Sequence, residues 1–298
     1  MASQRDVKNR IASVKNIQKI TRAMEMVAAA RLRRAEQRIS KLRPYADAIR
    51  RMTHQAAEAA GAEVGSFPLL SEHEKVETVG LLLITGDRGL AGAFNSQIVR
   101  AGVRAGNELA EQGLQSVWYA TGRRGVSSLT FRGRELSGSY TGFTDRPAYA
   151  DARAIADDLI TGYVDGRLDR VEILYNAYVS PLTQHVTRET LLPLSQSAIE
   201  EAATDDSSKE GPSALVEYEP GPEEILKRLV PDYVEISIYR ALIESTAGFF
   251  GAQMTAMRNA SENAGTLIEE YTLQMNRARQ AEITQEIMEV VAGAEGVG

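Results

Sequence analysis

The sequence predicts an α/β plus long coiled-coil fold: a two-helix coiled coil from the two termini with a small central α/β, Rossmann-like domain. Three observations predict it. The first 60 residues contain no glycine and one proline, and apolar side chains recur there at helical spacing. The stretch from Pro231 to about Ala292 contains no further proline. Between these ends, short apolar runs alternate with glycine-rich turns and helical patterns.

The first helix is predicted over residues 1–60, up to the glycines at 61 and 65. Its apolar residues are alternately four and three positions apart, which is the 3.5-residue period of a coiled coil. Pro44 lies inside this stretch and is expected to bend the helix or to be tolerated as a kink. The apolar positions are Val7, Ile11, Val14, Ala35, Ile39, Leu42, Ala46 and Ile49.

A central α/β domain is predicted over residues 76–200. Its strands are expected to be buried apolar runs, and glycine-rich turns follow the first two of them. Because strands alternate with helices, we expect a small and mostly parallel sheet. The predicted strands are Thr78–Thr85, Gln115–Thr121, Arg170–Val179 and His185–Leu194, and the predicted helices begin near Asn95 and cover Ala148–Val164.

The remaining chain is predicted to be a linker over residues 201–221 and a C-terminal coiled-coil helix over residues 222–298. Pro231 suits the first turn of this helix. A helix of some sixty residues would be roughly 90 Å long, at about 1.5 Å per residue. Few globular domains can bury such a rod, so we expect it to pack against the first helix.

The charge of the two ends also favours this pairing. Residues 1–51 contain 14 Lys and Arg against 4 Asp and Glu, whereas residues 222–298 contain 6 against 12. Ends of opposite sign attract each other, and they can also face different partners.

Composition excludes several classes of protein. The chain has no cysteine, which excludes disulfides, thiolate metal sites and a cysteine nucleophile. It has no run of 18 apolar residues, and its first residues lack the apolar stretch of a secretory signal. We therefore expect a cytosolic, bacterial protein.

The glycine-containing stretch Ile84–Asn95 is the main candidate site. A strand, a glycine loop and a helix in this order can bind phosphate at the helix N-terminus. The Walker and dinucleotide spacings are both absent, however. The alternative is a tight turn that presents Asp87, Arg88 and Gly89 to a partner or to the fold. The three histidines lack metal-ligand spacing, and we expect neither a metal nor a cofactor.

The basic first helix has an alternative interpretation. Its 14 positive charges could neutralise the phosphates of a nucleic acid. No aromatic residue for base stacking precedes Tyr45, and "AMEMVAAA" suits close helix packing better than contact with DNA. Two other classes of protein thus stay open: a nucleotide enzyme built on the α/β domain, and a nucleic-acid-binding coiled coil.

Three separated motifs, in the right order, give a resemblance to a known family. "RIASVKNIQKITRAMEMVAAARLRRAE" (Arg10–Glu36) resembles the N-terminal helix of the gamma subunits of rotary F-type ATP synthases, and "DRGLAGAFN" (Asp87–Asn95) resembles their central-domain loop. "ARQAEITQEIMEVVAGAE" (Ala278–Glu295) resembles their C-terminal signature. "AGFFGAQM" (Ala247–Met254) departs from the family in being more apolar.

The resemblance implies a function without catalytic residues. The two terminal helices would form an antiparallel two-helix coiled coil, and this shaft would lie inside a ring of three alpha and three beta subunits. The α/β domain would lie at its base, with the epsilon subunit and the membrane ring of c subunits. The chain would bind the cytoplasmic face of the bacterial membrane only through these partners, and would bind no nucleic acid.

The resemblance also implies particular contacts. One set of residues is expected to face the acidic lever loop of the beta subunit: Arg22, Met24, Arg279, Gln280, Thr284 and Glu286. The small apolar tip is expected to act as a bearing, with Val290, Val291 and Ala292 turning inside the ring.

Overall fold

The computed structural model describes residues 4–60, 67–194 and 221–295. Two compact units make up the chain. The first consists of the residues up to Ala29 together with those from Gln253 onward, and the second covers Ala30–Ala252. The sequence-based boundaries at residues 60, 76, 200 and 221 stay a prediction.

Ten helices and strands are found among the described residues. In chain order they are α1 (Gln4–Ala60), β1 (Thr78–Ile84), α2 (Phe94–Glu111), β2 (Gln115–Thr121), α3 (Arg123–Phe131), β3 (Leu136–Tyr140), α4 (Tyr149–Val164), β4 (Arg170–Ser180), β5 (Thr183–Leu192) and α5 (Pro222–Glu295).

The second unit contains a five-stranded sheet in the order β3-β2-β1-β4-β5. The pairs β1–β2, β1–β4 and β2–β3 are parallel, and only β4–β5 is antiparallel. The expectation of a mostly parallel sheet is therefore confirmed. Its central strand β1 is buried on both faces, which explains why its sequence is a continuous apolar run.

The alternation of side chains along β1 divides the core of this unit into two layers. Leu82 and Ile84 face a cluster that contains α4 and the adjoining halves of α1 and α5. Leu81 and Leu83 face the other cluster, formed with α2 and α3. A Cβ added to Gly102 of α2 would lie 2.5 Å from Leu83 Cδ2, so α2 packs closely on the sheet.

In the first unit, the described parts of α1 and α5 contact each other in opposite chain directions. Gln18 Nε2 donates to the carbonyl of Ser261 at 3.3 Å, and Arg258 Nε donates to Glu25 Oε1 at 2.9 Å. Residue numbers increase along α1 while those of the contacted residues on α5 decrease, so the two helices are antiparallel here. The buried residues here are Val7, Ile11, Thr21, Ala28, Met257 and Ala264.

Some details differ from the sequence-based expectations. Helix α5 begins at Pro222, the first residue of the predicted range, and Pro231, which was expected in its first turn, lies inside the helix. Pro222 takes the first helical position, where proline has no hydrogen bond to lose. Helix α3 and strand β3 were not predicted, because nine residues and five residues are too short for a clear periodic signal. Strand β5 begins at Thr183, two residues before the predicted start. Pro44 is accommodated inside α1 without ending it.

The apolar departure at residues 247–252 belongs to the core of the second unit. Phe249 and Phe250 are buried, and Phe249 meets Phe94 in an edge-to-face contact at 5.6 Å. A Cβ on Gly251 would lie 2.9 Å from the carbonyl oxygen of Pro181. The glycines there allow α5 to pack against the β4–β5 hairpin.

Candidate partner-binding surfaces

The loop after β1 is fastened at both ends by one side chain. Asn95 Oδ1 accepts a hydrogen bond from the N–H of Gly86 at 2.8 Å, and Asn95 Nδ2 donates to the carbonyl of Arg88 at 3.0 Å. Between these bonds, the Asp87 side chain turns toward the loops that follow β2 and β3. The fold of the loop is thus fixed by its own polar groups.

The Asp87 carboxylate joins three loops at the carboxyl ends of the parallel strands. It accepts hydrogen bonds from the N–H groups of Arg123 at 3.1 Å, of Gly142 at 3.0 Å and of Thr144 at 3.1 Å. The Thr144 hydroxyl donates to Oδ2 at 2.8 Å. Burial by itself would raise the pKa of Asp87, but the hydrogen bonds from Gly142, Thr144 and Arg123 outweigh it, so the pKa lies below its ordinary value.

This arrangement gives Asp87 a structural role. Its carboxylate accepts a hydrogen bond from the first N–H of α3, and a second anion at that helix end would meet the charge of Asp87. The phosphate considered from the sequence would instead lie at the N-terminus of α2, and that alternative stays untested. Arg88 is exposed and pairs with Asp145 at 3.3 Å, and a Cβ on Gly89 would lie 3.1 Å from the guanidinium of Arg124.

A basic groove of about 520 Å³ lies in the second unit, between α1, α5 and the loop before α4. We call it the Arg31 groove. Arg31 donates to Asp145 Oδ2 at 3.0 Å and stacks over the Phe250 ring at 5.6 Å. Asp145 is the only acid that lines the groove within the described residues, and Arg31 and Arg88 both pair with it. The cations lining the groove are Arg31, Arg34, Arg38, Lys41 and Arg146.

An exposed apolar stripe runs along α1 in the first unit. Ile17 is 53% exposed, Ile20 is 59% exposed and Val27 is 52% exposed. Met24 is half-buried and falls on the same helix face, because these positions are three and four residues apart. Arg22 beside it is exposed. This chain by itself leaves the stripe largely uncovered.

The expected contact residues near the end of α5 are also exposed. Arg279, Gln280 and Glu286 point away from the core, and the Thr284 hydroxyl donates to the carbonyl of Gln280 at 2.8 Å. In the described part of the chain, no hydrogen bond or ion pair links this set to Arg22. A role in partner contact stays a prediction for all six residues.

The expected bearing tip shows the same exposure. Val290 is 73% exposed and Val291 is 50% exposed, and Ala292 is exposed too. Ile287 and Met288 precede them and are exposed by 57% and 65%. A run of uncovered apolar side chains near a helix end indicates a surface that another molecule covers.

Sequence reasoning did not single out Ile17, Ile20 or the Arg31 groove. Helical spacing shows that residues share a face, but it does not show which of two apolar faces the partner helix covers. The groove combines α1, α5 and a loop that are far apart in the chain, so only the tertiary structure brings its cations together. An excess of basic residues in residues 31–43 was the available signal.

The described residues contain neither a metal-binding cluster nor a membrane-spanning helix. No group of three or more histidine, aspartate or glutamate residues with metal-binding geometry occurs in residues 4–60, 67–194 and 221–295. Over the same ranges, none of the helices has the length and hydropathy of a membrane span.

Comparison with known proteins gives matches over nearly the whole chain. A family model described as ATP synthase matches residues 3–297. The ATP synthase gamma chain of Rubrobacter xylanophilus is 41% identical over 297 residues, covering 100% of this chain and 99% of the relative. That of Moorella thermoacetica is 41% identical and covers 100% of both chains, and that of Streptomyces coelicolor is 40% identical and covers 99% and 96%.

Solved structures give a similar result. A chain in the central stalk and c-ring of the Tetrahymena thermophila mitochondrial ATP synthase matches with a TM-score of 0.60 and 26% identity, over 81% of this chain and 99% of that one. A chain of the Euglena gracilis mitochondrial ATP synthase matches with a TM-score of 0.68 and 16% identity, over 99% of this chain and 94% of that one. The second match concerns the fold alone.

Proposed function

The chain belongs to the gamma-chain family of ATP synthases, and on this premise we propose that it turns as the shaft of a rotary complex with alpha, beta, epsilon and c subunits. It is a central-stalk subunit without catalytic residues of its own. The observation that carries the proposal is the exposure of apolar side chains along α1 and toward the end of α5. A surrounding ring of subunits would cover them.

The proposed shaft is an antiparallel coiled coil of α1 and α5. The opposed pairs Gln18–Ser261 and Glu25–Arg258 support this, since they set the direction and the register of the two helices. A helix pair has no threefold symmetry. Three identical catalytic sites can differ at one instant only if something asymmetric touches them. Such a shaft would supply this asymmetry.

Rotation would then exchange the contacts that each beta subunit makes. Contact energy that differs between two conformations of a subunit shifts their populations. Moving a site from mostly one state to mostly the other requires about 5.5 kcal/mol. We assign this contact to Arg22, Met24, Arg279, Gln280, Thr284 and Glu286. The Arg31 groove, with its excess of cations, would attract the acidic lever loop of the beta subunit during approach.

The remaining partners and the location form part of the same proposal. The chain would join the epsilon subunit and the ring of c subunits at the cytoplasmic face of the bacterial membrane, and the membrane association would come from those partners. The apolar side chains of Val290, Val291 and Ala292 would make shallow contacts of similar energy at every angle, as a bearing requires.

The test is co-purification of the tagged chain from cell membranes, with the masses of its partners read directly. We expect alpha, beta, epsilon and c subunits. The chain purified alone should neither bind nor hydrolyse ATP. Stoichiometric binding of ATP to the isolated chain would favour a nucleotide enzyme, and salt-dependent retention on DNA would favour a nucleic-acid-binding coiled coil.

A further inference from the structure

A second basic groove, of about 660 Å³, lies on the outer side of α2 in the second unit, and none of the residues assigned above lines it. We call it the Arg104 groove. It is lined by Arg100 and Arg104 of α2, by Arg132 after α3, and by His185 of β5. Among the described residues, no aspartate or glutamate lines it. In a chain with a net charge of −6, this is a local excess of positive charge.

The cations of this groove have no carboxylate partner in the described chain. Glu108 lies four residues after Arg104, where an ion pair along the helix would form. Its carboxylate instead pairs with Arg188 at 2.7 Å. Arg188 in turn pairs with Glu172 at 2.6 Å. Arg170 also pairs with Glu172, at 3.1 Å, so these two acids meet two arginines, and neither of them pairs with Arg100 or Arg104.

One guanidinium is also held in position. Arg132 Nη1 donates to the carbonyl of Ser128 at 3.0 Å and to the Ser128 hydroxyl at 3.3 Å. These bonds restrict its rotamers and leave its other N–H groups free. Because part of the side-chain entropy is lost in advance, binding a carboxylate there costs less than at a mobile arginine.

Apolar groups accompany these charges. Val103 and Val186 line the groove, and Val186 is 38% exposed. Phe131 precedes Arg132 in the chain without lining the groove, and it is 90% exposed. Arginine and aromatic residues are both enriched at protein–protein interfaces. A groove that is open and partly apolar suits a polypeptide better than a single phosphate, which needs convergent donors in a small space.

We propose that the Arg104 groove binds an acidic segment of a partner protein, whose carboxylates pair with Arg100, Arg104 and Arg132 and whose apolar side chains contact Val103 and Val186. The proposal is independent of the shaft contacts, since none of the residues that it uses is assigned to them. It names a docking surface on the α2 side of the central domain.

The first test measures binding to the purified full-length chain by fluorescence anisotropy. The probe is a short fluorescein-labelled peptide of glutamate and leucine, with inorganic triphosphate and single-stranded DNA as competitors. We expect salt-dependent binding of the peptide that becomes at least about tenfold weaker in the double variant Arg100→Gln/Arg104→Gln. The double variant Lys227→Gln/Arg228→Gln, which also removes two exposed cations from one helix, should bind as the unaltered chain does.

Other results would overturn the proposal. Equal weakening in both double variants would show a general charge effect. If triphosphate displaces the labelled peptide at a lower concentration than the unlabelled peptide does, the groove is a small-anion site. If DNA binds more tightly than the peptide, the groove is a nucleic-acid surface. The variant Arg100→Lys/Arg104→Lys keeps both charges and should retain most of the peptide binding. If it binds and the glutamine variant does not, the loss comes from the missing charge and not from misfolding caused by substitution at these positions.

The second test uses the complex isolated from membranes. A photo-reactive residue in place of Val103 should cross-link to a segment of another subunit in which acidic residues outnumber basic ones. Reversing the charge of that segment should abolish the cross-link, and Arg104→Glu in the same complex should restore it. A cross-link to residues 195–220 of this chain, or to a segment without excess acid, would refute the proposed partner. Assembly of the shaft complex is scored separately, so failure here leaves the proposed function standing.

Discussion

Asp87 and Thr144 bind each other in both directions, although 57 residues separate them. The N–H of Asp87 donates to Thr144 Oγ1 at 2.8 Å, and that hydroxyl donates to Asp87 Oδ2 at 2.8 Å. The hydroxyl is satisfied as both donor and acceptor. The pair ties the loop after β1 to the loop before α4.

We predict that Asp87→Asn destabilises the chain by about 2 kcal/mol, because the N–H groups of Arg123 and Gly142 lose a charged acceptor. The free energy of unfolding should be measured in urea. The matched change Asp157→Asn, on an exposed position of α4, should alter it by less than about 0.5 kcal/mol. Equal effects of the two changes would refute the structural role of Asp87.

The same carboxylate should give a defined dependence on pH. Its pKa is lower in the folded chain than its ordinary value, so its ionised form stabilises the fold. The stability contribution should be complete above about pH 5, and it should be lost as the pH falls through the ordinary pKa of about 3.9 toward the folded value. The difference between the unaltered chain and Asp87→Asn should therefore shrink in acid. A difference that stays constant down to pH 2 would contradict this.

A substitution on the exposed apolar stripe of α1 should weaken the coupling of proton pumping to ATP hydrolysis. Met24→Lys adds a cation beside Arg22 at a proposed packed contact, where an unpaired charge costs about 2 to 5 kcal/mol. We expect fewer protons pumped per ATP hydrolysed, with assembly largely preserved. The control is Met26→Lys, because Met26 lies on the opposite face of α1 and is 64% exposed. Unchanged pumping in Met24→Lys would place Met24 outside the contact.

The tip of α5 gives a comparison between two kinds of change. Deleting residues 293–298 should leave the complex assembled and rotating, with a loss of less than about 1 kcal/mol, because these residues carry little apolar area. Replacing Val290 and Val291 by arginine should do more harm, because it places unpaired charge inside the ring. Single-molecule rotation distinguishes them. The bearing proposal fails if the deletion stops rotation and the double arginine variant turns normally.

Much of the fold was determined by the sequence itself. The predicted strand at Gln115–Thr121 has its predicted bounds, and all described residues of the predicted first helix, Gln4–Ala60, are helical. Long periodic segments and buried apolar runs carry their structure locally, since many residues repeat the same signal. The three motifs in register also sufficed to indicate the family. The weak elements α3 and β3 lacked this redundancy.

The tertiary structure alone decided which groups serve the fold and which face outward. The sequence did not show whether the loop of Asp87 binds phosphate or is a tight turn that serves a partner or the fold. The structural role of Asp87 depends on N–H groups that lie 36 to 57 residues away in the chain. It also left open which apolar face of α1 is covered, because periodicity places residues on a common face without naming the neighbour. Arg104 has no ion-pair partner among the described residues, because Glu108 pairs with Arg188 instead. Arg188 lies on β5, which is distant from α2 in the chain. Such outcomes depend on contacts between distant segments, and these exist only once the chain has folded.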